Sequence, residues 1–150
     1  MQRFNIRVYG ICLNERNEVL LSDESYRNLN FTKFPGGGLE FGEGMIDCLN
    51  REFQEEFNLE IEVGELFYLT DFFQVSAFSE NDQVVSVYYL IQANLSDLDK
   101  LVKDQTTKEK LHWVKLAELT EERVTFPIDK IVVNQIINDA IINYQGSSRS

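Results

Sequence analysis

The sequence predicts an α/β fold in which a mixed sheet is covered by helices on both faces, an α/β/α sandwich. Three observations carry this expectation. Strand-length runs rich in apolar residues stand on both sides of one segment with helical spacing, and a second helical segment closes the chain. A chain of 150 residues, 43% hydrophobic and 26% charged, is enough for one core and too short for two ordinary ones. One helix inserted between strands and one after them bury their apolar stripes most economically on opposite faces of a sheet. A single domain over residues 1–150 is expected, with 145–150 as a loose tail because GSSRS is small and polar.

Residues 3–13 and 18–22 read as strands joined through Asn14-Glu15-Arg16-Asn17, which has turn composition. Residues 31–34 form a short strand that ends at Pro35, and Gly36, Gly37 and Gly38 then open a loop. Ile46, Leu49, Phe53 and Phe57 fall within a narrow arc at about 100° per residue, so 45–57 is a half-buried helix. Residues 60–75 and 84–93 are rich in Val, Ile, Phe and Tyr and read as long paired strands separated by Ser79-Glu80-Asn81-Asp82-Gln83. Residues 111–116 give one more strand. Residues 128–144 follow Pro127 with the apolar spacing of a closing helix.

Composition narrows the function. Fourteen basic against 25 acidic side chains leave a net charge of −11, which repels polymeric nucleic acid and anionic lipid. No segment has the roughly 20 apolar residues of a membrane span or the core of a signal peptide, so a cytoplasmic location is expected. Cys12 and Cys48, without CxxC spacing, read as free buried thiols. Between Phe34 and Asp99 the only basic residue is Arg51, while acids recur throughout. Like charges three or four residues apart destabilise a helix by about 0.2–0.5 kcal/mol per pair, so an external cation is expected to neutralise them.

That cation has an evident place. Glu52, Glu55 and Glu56 stand at i, i+3 and i+4 and share one helix face opposite the apolar one. Three carboxylates in one turn suit a hard divalent ion. Arg51 borders them, and its planar fork can orient Glu55 or Glu43. Upstream, the glycine run with Glu40 and Glu43 reaches the helix N-terminus, where loop and helix together can hold a phosphate and metal complex.

Residues 36–59, GGGLEFGEGMIDCLNREFQEEFNL, resemble the Nudix box, G-x5-E-x7-R-E-U-x-E-E-x-G-U with U bulky and apolar. Gly37, Glu43, Arg51, Glu52, Glu55 and Glu56 fill the fixed positions, and Phe53 and Leu59 fill U positions. Asn58 replaces the family's second glycine; it closes the helix where a left-handed backbone is expected, and asparagine is the usual second choice there. The resemblance implies a Nudix-type α/β/α sandwich and hydrolysis of the diphosphate linkage in a small nucleoside diphosphate derivative or nucleoside triphosphate. It implies Mg2+ or Mn2+ held by Glu52, Glu55 and Glu56, with the Gly36 carbonyl as a further ligand. Glu52 is the first candidate to take a proton from water, with Glu56 or Glu109 behind it. Candidates for contact with substrate are Lys33, Gly37, Glu43 and Phe72, the last among several aromatic residues that could stack on a base. A nucleotide or sugar-nucleotide sensing module on the same fold is the alternative, and the N-terminal strands leave a homodimer open.

Overall fold

The computed structural model of the chain describes residues 1–148. Strand β1 (Arg3–Cys12) leads through a tight turn into β2 (Glu18–Tyr26), which folds back as β3 (Leu29–Lys33). The second turn places Arg27 and Asn28 at φ of 49° and 63°. Both central residues are therefore left-handed, as the commonest two-residue hairpins require. Next come β4 (Gly36–Gly38), helix α1 (Met45–Phe57), β5 (Glu62–Leu69), β6 (Asp82–Gln92), α2 (Leu95–Lys103), β7 (Lys110–Lys115) and α3 (Pro127–Ser148).

The middle layer holds two sheets. One is mixed, in the order β4-β1-β6-β5, with β1 and β6 parallel and both outer pairs antiparallel. The other is antiparallel, β3-β2-β7. Alternation along β1 and β2 assigns the two cores. Val8, Cys12 and Leu20 face α1 and α2 with Leu49, Phe53, Phe57 and Leu98. Tyr9, Ile11, Val19 and Leu21 face α3 with Val132, Val133 and Ile136. A strand whose neighbouring residues are buried on opposite faces belongs in the middle of a sandwich, and the expected α/β/α architecture is present.

The differences from the sequence expectation are local. The single sheet becomes two, and Gly36–Gly38, expected as loop, pair with β1 as an edge strand. β5 stops at Leu69, and the chain returns irregularly to the Val75–Gln83 bridge instead of continuing as strand. Helix α2 was not anticipated. In α1 the apolar stripe omits Ile46, which is 48% exposed, and uses Cys48. Positions 145–148, expected as tail, continue α3, while 149 and 150 lie outside the described residues. Among the described residues, no helix is long and apolar enough to cross a membrane.

Both ends of α1 bear on function because they fix its glutamates. Asp47 accepts the Gly44 N–H at 3.2 Å, half of a capping box to which glycine returns no side-chain bond. At the other end Asn58 adopts φ 50°, ψ 45°, the left-handed conformation expected from its place in the motif, and its N–H reaches the Gln54 carbonyl at 3.0 Å.

Candidate active site

Arg51 organises the acidic face of α1. Its Nε and Nη2 donate to the two oxygens of Glu43 at 2.9 and 2.8 Å, a bidentate pair, and Nη2 also reaches the Gly38 carbonyl at 3.1 Å. Nη1 donates at 3.1 Å to both Glu52 and Glu55. The bonds from Arg51, then from the Glu40 N–H, hold the Glu43 carboxyl down at about 2. Glu43 therefore anchors the orienting arginine, and it does not line the neighbouring cleft. The Arg51 guanidinium is pushed up chiefly by Glu43 and stays charged.

Glu52 is held from a second side. A Cβ on Gly37 would lie 2.3 Å from its Cδ and 2.5 Å from each carboxylate oxygen, so this residue must be glycine for the carboxylate to rest against β4. Burial raises the Glu52 carboxyl, and Arg51 opposes that rise. Glu55 is more exposed, and Glu56 is exposed and turned toward the cleft.

The all-oxygen donor set suits Mg2+ or Mn2+. Glu52 and Glu55 already converge on one Arg51 nitrogen, and Gly37 leaves the cradle that a Cβ would fill. Among the described residues no three acidic, His or Cys side chains are already arranged to hold a metal ion, and Arg51 occupies the bonds of Glu52 and Glu55. The residues fit a divalent ion through carboxylate chemistry, with Glu56 free to rotate at the surface. The Gly36 carbonyl is approached by the Lys33 ammonium at 3.4 Å.

A cleft of about 780 Å3 opens beside these glutamates, between β1, β3, the 74–79 segment and the start of α3. Lys33 lies in its wall, almost wholly buried, 2.8 Å from Glu24. Burial would depress the ammonium, but Glu24, then Tyr9 and Glu109, outweigh it and keep it charged. Glu109, a second choice for the proton acceptor, is pushed up by burial and then by Glu24, so it holds a proton more readily than a free carboxyl. Phe31, Phe78 and Phe126 pack on one another with centroids 5.1 to 5.9 Å apart and line one wall. Phe72, the aromatic residue selected from sequence, is not part of the lining. A larger hollow of about 890 Å3 between the end of α1 and α2 holds none of the motif's glutamates.

Sequence reasoning missed Asp129. It follows Pro127 in the first turn of α3, where a carboxylate suits the helix dipole, and only 2% of it is exposed. The Tyr88 hydroxyl donates to Oδ1, while Oδ2 has no partner although the residue lines the cleft. Burial pushes this carboxyl up to about 6. The folded state therefore binds the proton more tightly than the unfolded chain, and stability falls as pH rises from about 4 to 6. Asp129→Asn, which keeps an acceptor for Tyr88, should remove that term. Its stability relative to the natural protein is expected to improve across this window by about 3 kcal/mol, then stay constant. Denaturant melts at pH 4, 6 and 8 check this; parallel curves would show that Asp129 does not titrate there.

The two cysteines are free and buried as expected, with burial raising Cys12 to about 11 and Cys48 to about 12, and they stay protonated.

Comparisons with known proteins bear on the family and the fold. The family model described as NUDIX domain matches residues 3–135. Among solved structures, the E. coli ORF135 protein is 17% identical with a TM-score of 0.66, covering 91% of each chain. The MutT protein of Methanosarcina mazei Go1 is 18% identical with a TM-score of 0.65, covering 93% of this chain and 96% of that one. MutT of methicillin-resistant Staphylococcus aureus 252 is 23% identical with a TM-score of 0.62, covering 93% and 99%. These likenesses are of fold. A search of curated proteins finds no match. With the family model spanning residues 3–135, most of the sequence, the chain belongs to the Nudix family and is a Nudix hydrolase.

Proposed function

We propose that the protein hydrolyses the diphosphate linkage of a small nucleoside diphosphate derivative or a nucleoside triphosphate in the presence of Mg2+ or Mn2+. The observation that carries this reading is the half-buried Glu52 carboxylate, fixed by Arg51 and fitted against Gly37, on the helix whose Glu56 lines the cleft. Held by Glu52, Glu55 and Glu56, the ion would neutralise charge on the phosphoryl oxygens and acidify water. Water attacks phosphorus, the bond to the bridging oxygen breaks, and the proton from water passes to a carboxylate. Glu52 suits that role because burial raises its carboxyl and with it the affinity for a proton.

The cleft holds the rest of the substrate. Its aromatic wall offers a face for a planar ring, and the free Oδ2 of Asp129 calls for a ligand N–H or O–H donor, since an unpaired buried polar oxygen costs about 1–3 kcal/mol. Hydrolysis of a panel of nucleoside triphosphates, dinucleoside polyphosphates and nucleotide sugars with Mg2+ or Mn2+ tests the reading. At least one class should be cleaved, and Glu55→Gln and Glu56→Gln should each reduce the rate by roughly 10- to 1000-fold. Equal rates in all three proteins would reject the ligand assignment, and a tightly bound diphosphate recovered intact would favour a sensing module.

A further inference from the structure

We propose that Arg7 is a phosphate-binding residue, gripping the substrate's diphosphate on the cleft side of β4. The inference deepens the diphosphate reading above and rests on it. Arg7 lies on β1 opposite Gly38, one residue along from the pairing of Val8 with Gly37. The two glycines make room for different groups: a Cβ on Gly37 would strike the Glu52 carboxylate, and one on Gly38 would stand 3.2 Å from Arg7 Nη1. Glu52 and Arg7 thus lie against consecutive residues of one edge strand, on its two faces. On the cleft face Arg7 shares the lining with Lys33 and with Glu56 of the motif, so a diphosphate held there lies between the basic pair and a proposed metal ligand.

The guanidinium is also short of partners. Its Nε donates to the Tyr9 hydroxyl at 3.1 Å, but Nη1 and Nη2 make no hydrogen bond or ion pair among the described residues. Arg3, Arg16 and Arg51, by contrast, each hold a carboxylate at 3.1 Å or less. Arg7 is half-buried, lines the cleft with Lys33, and feels Glu52 and Glu24 without bonding to either. A planar fork already fixed through Nε, with both terminal nitrogens unengaged in a cleft, matches phosphoryl oxygens bidentately. The anion would meet Lys33 nearby as a second, compact charge.

The test measures affinity for methylenediphosphonate, whose P–C–P bridge cannot be hydrolysed, by calorimetry with Mg2+ and the whole chain. Arg7→Met is expected to weaken binding roughly 30-fold, and Arg7→Lys, which keeps charge and loses the fork, by about 5- to 10-fold. On a cleaved substrate both should raise KM more than they lower kcat. Thermal melts accompany both variants; if Arg7→Met does not fold, Arg7→Lys decides. Unchanged probe affinity in a folded variant overturns the assignment of Arg7 while leaving the hydrolytic reading intact. If the natural protein neither binds the probe nor cleaves any diphosphate in the panel, the reading falls and this assignment falls with it.

Discussion

Glu52→Gln is expected to lower kcat about a thousandfold while the melting temperature changes little. The substitution is nearly isosteric, so the side chain still fits against Gly37 and still accepts a bond from Arg51. What it removes is charge and basicity. Loss of a positioned proton acceptor alone costs about 10²–10⁴ in rate, and the same carboxylate belongs to the proposed ligand set. Stability should be nearly unaffected because burial already raises this carboxyl, so the folded protein gains nothing from its ionisation at neutral pH. Arg51 is not released either, since its bidentate pair with Glu43 does not involve Glu52. Steady-state kinetics beside a thermal melt distinguish the possibilities. A kcat within tenfold of the natural protein would move the proton acceptor to Glu56, the motif carboxylate that lines the cleft.

How much of this was legible in the sequence depends on range. The glutamate face, the arginine beside it and the helix end at Asn58 are local, set by 3.6 residues per turn and by one left-handed residue, and they appear where the spacing puts them. The pairing of Gly36–Gly38 with β1 is not local: a glycine triplet has no side-chain pattern, and only the register with Arg7, Val8 and Tyr9 makes it a strand. The end of β5 was obscured for a similar reason. Leu69, Phe72, Phe73 and Val75 look like strand interior, yet they are partly or largely exposed once the chain leaves the sheet after Leu69. Helix α2 did carry a signal, in residues 94–102, which lie between the strands read at 84–93 and 111–116. Asn94 caps it by accepting the Asp97 N–H at 3.0 Å, and Leu95, Leu98, Leu101 and Val102 have helical spacing. Asp129 was invisible as a site residue because an acid in the first turn of a helix is ordinary in sequence. Its meaning comes from burial beneath Tyr88 and an oxygen left open to the cleft.

Neighbouring glycines supply the sharpest separation of folding from catalysis. Gly37→Ala is expected to lower kcat at least 100-fold with a melting temperature within about 3 °C of the natural protein; Gly36→Ala should instead lower the melting temperature by roughly 10 °C. Gly37 has no positive φ, and what its new methyl meets is the far end of a flexible side chain, the Glu52 carboxylate. That carboxylate swings aside at small cost, leaving the position that catalysis needs. Gly36 has φ of 149°, and its methyl would fall 2.1 Å from the Val8 carbonyl oxygen and 2.8 Å from the Tyr9 Cα. Both are backbone atoms of a strand paired on both sides and packed in both cores, so they cannot yield without breaking the β1–β4 register. Backbone strain of about 1–3 kcal/mol and overpacking of about 1–3 kcal/mol then add in one place. At about 2–4 °C per kcal/mol for a chain of this size, that sum gives the expected fall. Differential scanning calorimetry and kcat on the two variants decide the matter. Should Gly37→Ala melt early and keep its rate, the glycine would be serving the sheet, and the close fit of Glu52 against β4 would have no catalytic meaning.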